Sequence, residues 1–308
     1  LESMNTAATA SSAPQLIDIL RRSAAFLARN GVESARLDAE VLLANVLEMD
    51  RIQLYVQFDR PLAHDELERY RDALKRRARR MPVAYVTGCK EFMSLAFAVD
   101  TRVLVPRPDT EVLVEAVCDR LTASGIDDPI IVDIGTGSGA IACAVSREVP
   151  GARVLATDIS GDALEVAASN VASLGLKDRV FLGQGDLFEP TIGTEFAHMD
   201  VLVSNPPYVP SGDIPSLAPE ISRYEPRLAL DGGPDGLDFY RRIAEGVPSR
   251  LTSRGFVALE VGDGQAAWVS EILERAGLVD LEAIRDYSGA VRAVIGSAPK
   301  VRGGADVL

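Results

Sequence analysis

Four consecutive residues, Asn205-Pro206-Pro207-Tyr208, carry the groups in this chain best suited to hold a reacting nitrogen. They follow Asp200-Val201-Leu202-Val203-Ser204, a short apolar run that reads as a buried strand. Two prolines end that strand, fix their own φ at about −65° and keep Asn205 extended, so a stiff loop is expected at the strand's carboxyl edge. Neither proline has an N–H. The loop therefore offers carbonyl acceptors with few competing donors, and Asn205 adds a side-chain amide oxygen. Such acceptors would grip an –NH2 group and stabilise the positive charge that grows as its nitrogen becomes tetrahedral beside a methyl donor. The same residues would also serve a plain Pro-rich surface turn.

A second constellation is Asp133-Ile134-Gly135-Thr136-Gly137-Ser138-Gly139, between an apolar strand and a helix. Its glycines allow a tight turn and close approach of a ligand to backbone beside a helix N-terminus. Asp158 ends the next strand, where its carboxylate could accept from both hydroxyls of a ribose. Gly135, Gly137 and Ala140 with an acid about 20 residues on also fit, loosely, a dinucleotide fingerprint, so the turn alone does not select the cofactor. A nicotinamide enzyme would need a hydride partner and a proton donor, and neither histidine, His64 or His198, falls in a suitable loop. An acid-rich rim of Asp133, Asp158 and Asp186 suits the positive charge of S-adenosyl-L-methionine. Asp186 is assigned to its adenine end, with a simple turn role as the alternative. Tyr208 either walls the pocket or packs in the core.

The elements that must position these residues follow from periodicity. Beyond Asp128, strands and helices alternate, which predicts an α/β fold with a doubly wound parallel sheet and ligands outside the strands' carboxyl ends. The strands expected are 130–134, 153–157, 180–183, 200–204, 256–261, 281–285 and 291–295. Residues 15–80 read as three helices, the second capped by Ser34. Residues 83–101 read as extended, with Phe92, Leu95, Phe97 and Val99 spaced as in a hairpin. In Val105-Pro106-Arg107-Pro108-Asp109-Thr110-Glu111, Asp109 or Thr110 is expected to cap a helix running to about Leu121. The expected organisation is a disordered tail that opens on an artificial, non-native remnant (1–13), a helical docking domain (14–82), a hairpin linker (83–102), a methyltransferase domain (103–300) and a flexible tail (301–308).

The net charge of −13 is uneven: residues 1–86 carry 13 Lys/Arg against 12 Asp/Glu, residues 87–308 carry 19 against 33. An acidic body argues against broad nucleic-acid binding. The basic run from Arg69 to Arg80 reads as a solvated helix face or a docking surface. Cys89, Cys118 and Cys143 are odd in number, lack a C-x-x-C pair and read as small buried residues of a reduced, cytoplasmic protein. No secretory signal, membrane span or histidine metal site is expected.

On these motifs, and on Glu225-Pro226-Arg227-Leu228-Ala229-Leu230-Asp231-Gly232-Gly233-Pro234-Asp235-Gly236-Leu237, the chain resembles the PrmC/HemK-like family, the peptide-chain-release-factor glutamine N5-methyltransferases. The resemblance spans nearly the whole chain. An Asn-Pro-Pro-Tyr loop by itself is shared with methyltransferases of adenine N6 and guanine N2. The resemblance implies a small all-helical domain, a β-hairpin linker and a seven-stranded class I (Rossmann-like) methyltransferase domain with its last strand antiparallel. It implies S-adenosyl-L-methionine held by Gly135 to Gly139 and Asp158. The substrate implied is the glutamine of a Gly-Gly-Gln loop in bacterial release factors of types 1 and 2, its amide held by Asn205 and the Pro206 carbonyl. Leu187 stands where many relatives have an aromatic, which turns adenine stacking into an apolar contact. A nucleic-acid amino methyltransferase and a non-catalytic factor-binding module are the alternatives.

Overall fold

The structure, a computed structural model, describes residues 15–299, and the tails expected at 1–13 and 301–308 lie outside the described residues. The chain divides into two compact units, with the boundary between Thr87 and Gly88.

The first unit contains α1 (Leu16–Arg29), α2 (Ala35–Leu47), α3 (Arg51–Val56), α4 (His64–Ala78) and α5 (Val83–Thr87). Leu16, Leu20 and Leu27 of α1 pack with Leu42 and Leu43 of α2, Leu54 of α3 and Tyr70 and Leu74 of α4. Two helices exceed the three that periodicity predicts. Residues 83–87, expected to be extended, turn helically because the Pro82 carbonyl accepts from Tyr85 and Val86, while Arg76 donates to the Tyr85 carbonyl at 3.0 Å. An orphan helix-end acceptor met by a side chain outweighs the β-propensity of Val-Ala-Tyr-Val-Thr. Ser34 makes no cap to backbone; its hydroxyl donates to Asp38 at 2.8 Å. Much of the basic run is structural. Arg77 is buried against Asp38 at 2.7 Å and Arg80 donates to the Gly31 carbonyl, leaving Arg69, Arg71, Lys75 and Arg79 as the exposed cations.

The second unit opens with the hairpin β1 (Cys89–Phe92) and β2 (Leu95–Ala98), closed by Met93 and Ser94, both at positive φ as a tight two-residue turn requires. Then follow α6 (Pro108–Ser124), β3 (Ile130–Ile134), α7 (Ala140–Glu148), β4 (Arg153–Asp158), α8 (Gly161–Ser173), β5 (Val180–Gln184) and β6 (Met199–Ser204). The chain continues with α9 (Pro219–Tyr224), α10 (Asp238–Gly246), β7 (Leu251–Glu260), α11 (Ala266–Arg275), β8 (Val279–Arg285) and β9 (Val291–Ser297). The seven-stranded sheet runs β5-β4-β3-β6-β7-β9-β8, parallel from β5 to β7, with β9 antiparallel to both neighbours. Its central strands are buried over most of their length, as helices on both faces require. Helix α6 begins at Pro108, one or two residues before the predicted caps, since a proline's fixed φ suits the first helical position. Thr110 thereby sits inside the first turn and is buried. Only Cys143 is buried; Cys118 is half-buried and Cys89 exposed at the hairpin, correcting the expectation for all three. Among the described residues no helix is long and apolar enough to cross a membrane.

Candidate active site

Strand order reverses at β3, with β4 and β5 on one side and β6 and β7 on the other. Open parallel sheets form a ligand crevice at such a switch point, outside the strands' carboxyl ends. Register sets what meets there. Ile134 pairs with Ser204 of β6 and with Thr157 of β4, so Gly135, Asn205 and Asp158 leave three adjacent strands at one level. The Ser204 hydroxyl donates to the Ile134 carbonyl at 2.6 Å, and the Gly135 and Thr136 amides both donate to the Thr157 carbonyl at 2.9 Å. A cleft of about 1130 Å³, counting its open mouth, is lined by Gly135, Thr136, Gly137, Ser138, Asp158, Asp186, Leu187, Asn205, Pro206 and Pro207.

Gly135, Gly137 and Gly139 all have positive φ. A β-carbon on Gly135 or Gly137 would meet open space, so backbone is bared to whatever fills the cleft; one on Gly139 would lie 3.3 Å from Ala167. Gly139 thus serves helix packing rather than the cleft wall. Asp158 is mostly buried, its two oxygens accepting from the Ser160 and Gly137 amides at 2.9 Å. Burial raises its pKa from the ordinary value against those amides. Asp133 is fully buried. One oxygen accepts from the Thr136 hydroxyl at 2.6 Å and from the Ala142 amide at 3.2 Å, and the other has no partner. Burial pushes this carboxyl up to about 7, and the nearby Asp158 adds to the rise. Asp186 is held from α10 by Arg242, 2.5 Å from its Oδ2. Leu187 takes φ 47, a left-handed conformation unusual for a leucine, at the cleft wall.

Asn205 turns its amide nitrogen to the Thr110 hydroxyl at 3.2 Å. Tyr208 is not among the residues lining the cleft: its ring packs against the core beside β7 and α10, and burial raises its hydroxyl to about 12. Of the two roles open to it in the sequence the structure shows the packing one, and the chain next pairs with a later segment. There Val209 donates to the Leu230 carbonyl and Gly232 to the Val209 carbonyl, a short parallel bridge between Val209 and Asp231. The segment 225–237 is therefore the scaffold of the Asn-Pro-Pro-Tyr loop. Gln265 ties it further, donating to the Tyr208 carbonyl at 2.9 Å while its oxygen accepts from Gly262. Arg107 reaches both oxygens of buried Glu225 at 2.6 and 2.7 Å, joining the segment before α6 to the same scaffold.

Three residues beside the site are not predicted. Thr110 reads from sequence as a helix cap. Glu260, 3% exposed at the end of β7, is a charge inside the apolar run Phe256-Val257-Ala258-Leu259-Glu260-Val261, and that interruption is its signal. Burial pushes Glu260 up to about 7, opposed by the polar Thr110 and Asn205 side chains and by Arg292, and reinforced by Asp109. Arg242, bound to Asp186, has no sequence signal.

The model of the PrmC N-terminal domain matches residues 18–88, and that of the methyltransferase small domain matches residues 108–221. A release factor glutamine methyltransferase of Geobacter sulfurreducens is 44% identical over 88% of this chain and 92% of its own. One of Moorella thermoacetica is 46% identical over 86% and 92%. Among solved structures, the catalytic domain of hMettl16 in complex with MAT2A 3′UTR hairpin 1 aligns with TM-score 0.56 at 16% identity, covering 90% of this chain and 94% of that one, a likeness of fold alone.

Proposed function

The chain belongs to the release factor glutamine methyltransferase family, and from that premise we propose which of its residues perform the transfer. The protein is a methyltransferase that acts on the side-chain amide of a release-factor glutamine. In this reading the glutamine is that of the Gly-Gly-Gln loop in bacterial factors of types 1 and 2, modified at N5 in the cytoplasm, and the helical unit docks the factor.

The cleft fits S-adenosyl-L-methionine: bare backbone at Gly135 and Gly137, a carboxylate at Asp158 with acceptor capacity left for a ribose, and apolar walls from Ile134, Ile159 and Leu187. The Asp158 carboxylate, held by two backbone amides, lends negative potential suited to a sulfonium. When bound, this cofactor supplies a methyl group on positively charged sulfur. The chain's own residues do the rest. A carboxamide nitrogen is a weak nucleophile because its lone pair is delocalised into the carbonyl. Asn205 Oδ1 and the Pro206 carbonyl accept its two N–H groups, aim the lone pair along the cleft and stabilise the cationic transition state. No side chain needs to take the proton first; it leaves to water after the carbon–nitrogen bond has formed.

The observation that carries this reading is the adjacency, at one level of the sheet edge, of the glycine turn and an asparagine whose nitrogen is turned away to Thr110. Incubation with labelled methyl donor and release factor, followed by mass mapping, should place one methyl on the glutamine amide. Asn205→Ala should lower kcat by about 10²-fold with little change in cofactor affinity. Label on nucleic acid instead, or full turnover in that variant, would refute it.

A further inference from the structure

We propose that Glu260, acting through Thr110, sets which way round the Asn205 amide sits, and so is a positioning residue for the methyl transfer. The inference rests on the assignment of Asn205 as the group that receives the glutamine carboxamide. An asparagine amide can be flipped with almost no change of shape, but the two orientations are opposite in function. With Oδ1 toward the cleft it accepts the substrate's N–H. Flipped, it presents N–H to N–H and repels.

The partners behind Asn205 decide the matter. Its Nδ2 lies 3.2 Å from the Thr110 hydroxyl. A hydroxyl both donates and accepts, so Thr110 alone would tolerate either orientation. Glu260 removes the ambiguity. It stands at the carboxyl end of β7, in parallel contact with β6 whose end carries Asn205, and its carboxyl faces the Thr110 and Asn205 side chains. Ionised, as it is at and above about pH 7, the carboxyl only accepts. It therefore takes the Thr110 hydroxyl hydrogen, which leaves a Thr110 lone pair for Asn205 Nδ2, and it attracts the same amide hydrogens directly. All the donors of Asn205 are thus drawn inward and Oδ1 is the group left for the cleft. Oε2 of Glu260 has no hydrogen-bond partner, an expensive arrangement for a carboxyl 3% exposed and one that core packing does not require. The other charged or titratable groups around it are Asp109 on α6, Arg292 on β9, Tyr208, and Tyr240 on α10, whose hydroxyl donates to the Glu260 carbonyl at 2.8 Å. Glu260 does not line the cleft, so it acts on substrate only through its neighbours.

The test is a mutant cycle on the full chain with S-adenosyl-L-methionine and purified release factor, reading kcat, KM for the factor and cofactor affinity by calorimetry. Thr110→Val and Glu260→Gln should each lower kcat by about tenfold or more, with cofactor affinity within about twofold. Thr110→Ser, which restores the hydroxyl, should recover most of what Thr110→Val loses. On an Asn205→Ala background neither substitution should cost anything further, since there is no amide left to orient. A merely structural role would instead lower turnover by the same factor on both backgrounds. That result, or unchanged kcat in Thr110→Val and Glu260→Gln, would overturn the inference while leaving the role of Asn205 intact. Full turnover in Asn205→Ala alone would overturn both. Should Glu260→Gln not fold, the pH profile replaces it: kcat of the natural chain should fall as Glu260 is protonated below about pH 7, Thr110→Val should lack that fall, and the same profile in both would overturn the inference.

Discussion

Adding one methyl group at Gly236 should damage turnover as well as stability. Gly236 has φ +76, and a β-carbon there would lie 2.3 Å from the Tyr208 carbonyl oxygen and 2.7 Å from Gln265 Nε2. Ordinary contact begins at 3.4 Å, so the Tyr208 carbonyl must retreat by about 1 Å. It cannot retreat alone, because Pro206 and Pro207 make the loop stiff and Gln265 holds the same carbonyl at 2.9 Å. The displacement passes to Asn205. A misplacement of about 1 Å at a reacting pair costs about 10²-fold in rate, which is the loss of kcat expected for Gly236→Ala. The left-handed backbone adds a folding penalty of about 1–2 kcal/mol. Gly175→Ala separates the two effects, for Gly175 has φ +69 and nothing within 4 Å of its would-be β-carbon. In urea Gly236→Ala should lose the backbone penalty seen in Gly175→Ala plus about 1–3 kcal/mol for the clash, and only Gly236→Ala should lose turnover with labelled methyl donor and release factor. If Gly236→Ala kept kcat within about threefold of Gly175→Ala, the inference that segment 225–237 positions the catalytic loop would be wrong.

Removing one partner of a buried ion pair costs more than neutralising the other, so Arg107→Ala, which strands the Glu225 carboxylate, should destabilise by about 3 kcal/mol and Glu225→Gln by less, measured as urea midpoints. Asp133 should make stability fall with rising pH. Its carboxyl is raised from 3.8 to about 7 in the folded state, so its contribution is full below the ordinary carboxylate range and is lost as pH climbs through about 7. Glu260, also raised to about 7, acts with the same sign. Asp133→Asn should flatten, and not reverse, the decline of the unfolding midpoint between about pH 4 and 7; an unchanged slope would mean that Asp133 is not the titrating group.

Much of this was written locally. The alternation after Asp128 places the strands within a few residues because each is a short apolar run closed by a turn residue, and the glycine turn, Asp158 and the Asn-Pro-Pro loop are legible because glycine, proline and a strand-end acid each impose a local backbone or chemical consequence. Where local reading fails, a distant partner is responsible. Helix α5 forms because Arg76 meets its end, Ser34 turns to Asp38, and three cations of the basic run are spent on carbonyls and a carboxylate of their own unit.

By itself, then, the order of residues determined the elements, their likeness to one family and the presence of a stiff, donor-poor Asn-Pro-Pro-Tyr loop, since these depend on backbone constraints acting over a few positions. Only the tertiary structure decided that Tyr208 packs inward, that segment 225–237 closes over the loop through Gly232 and Gly236, and that Thr110 and Glu260 stand behind Asn205. Those residues lie tens of positions apart in the chain. The register of β3, β6 and β7 brings their ends to one level, and in the dry interior formed there a carboxylate and a hydroxyl acquire a meaning that neither has alone.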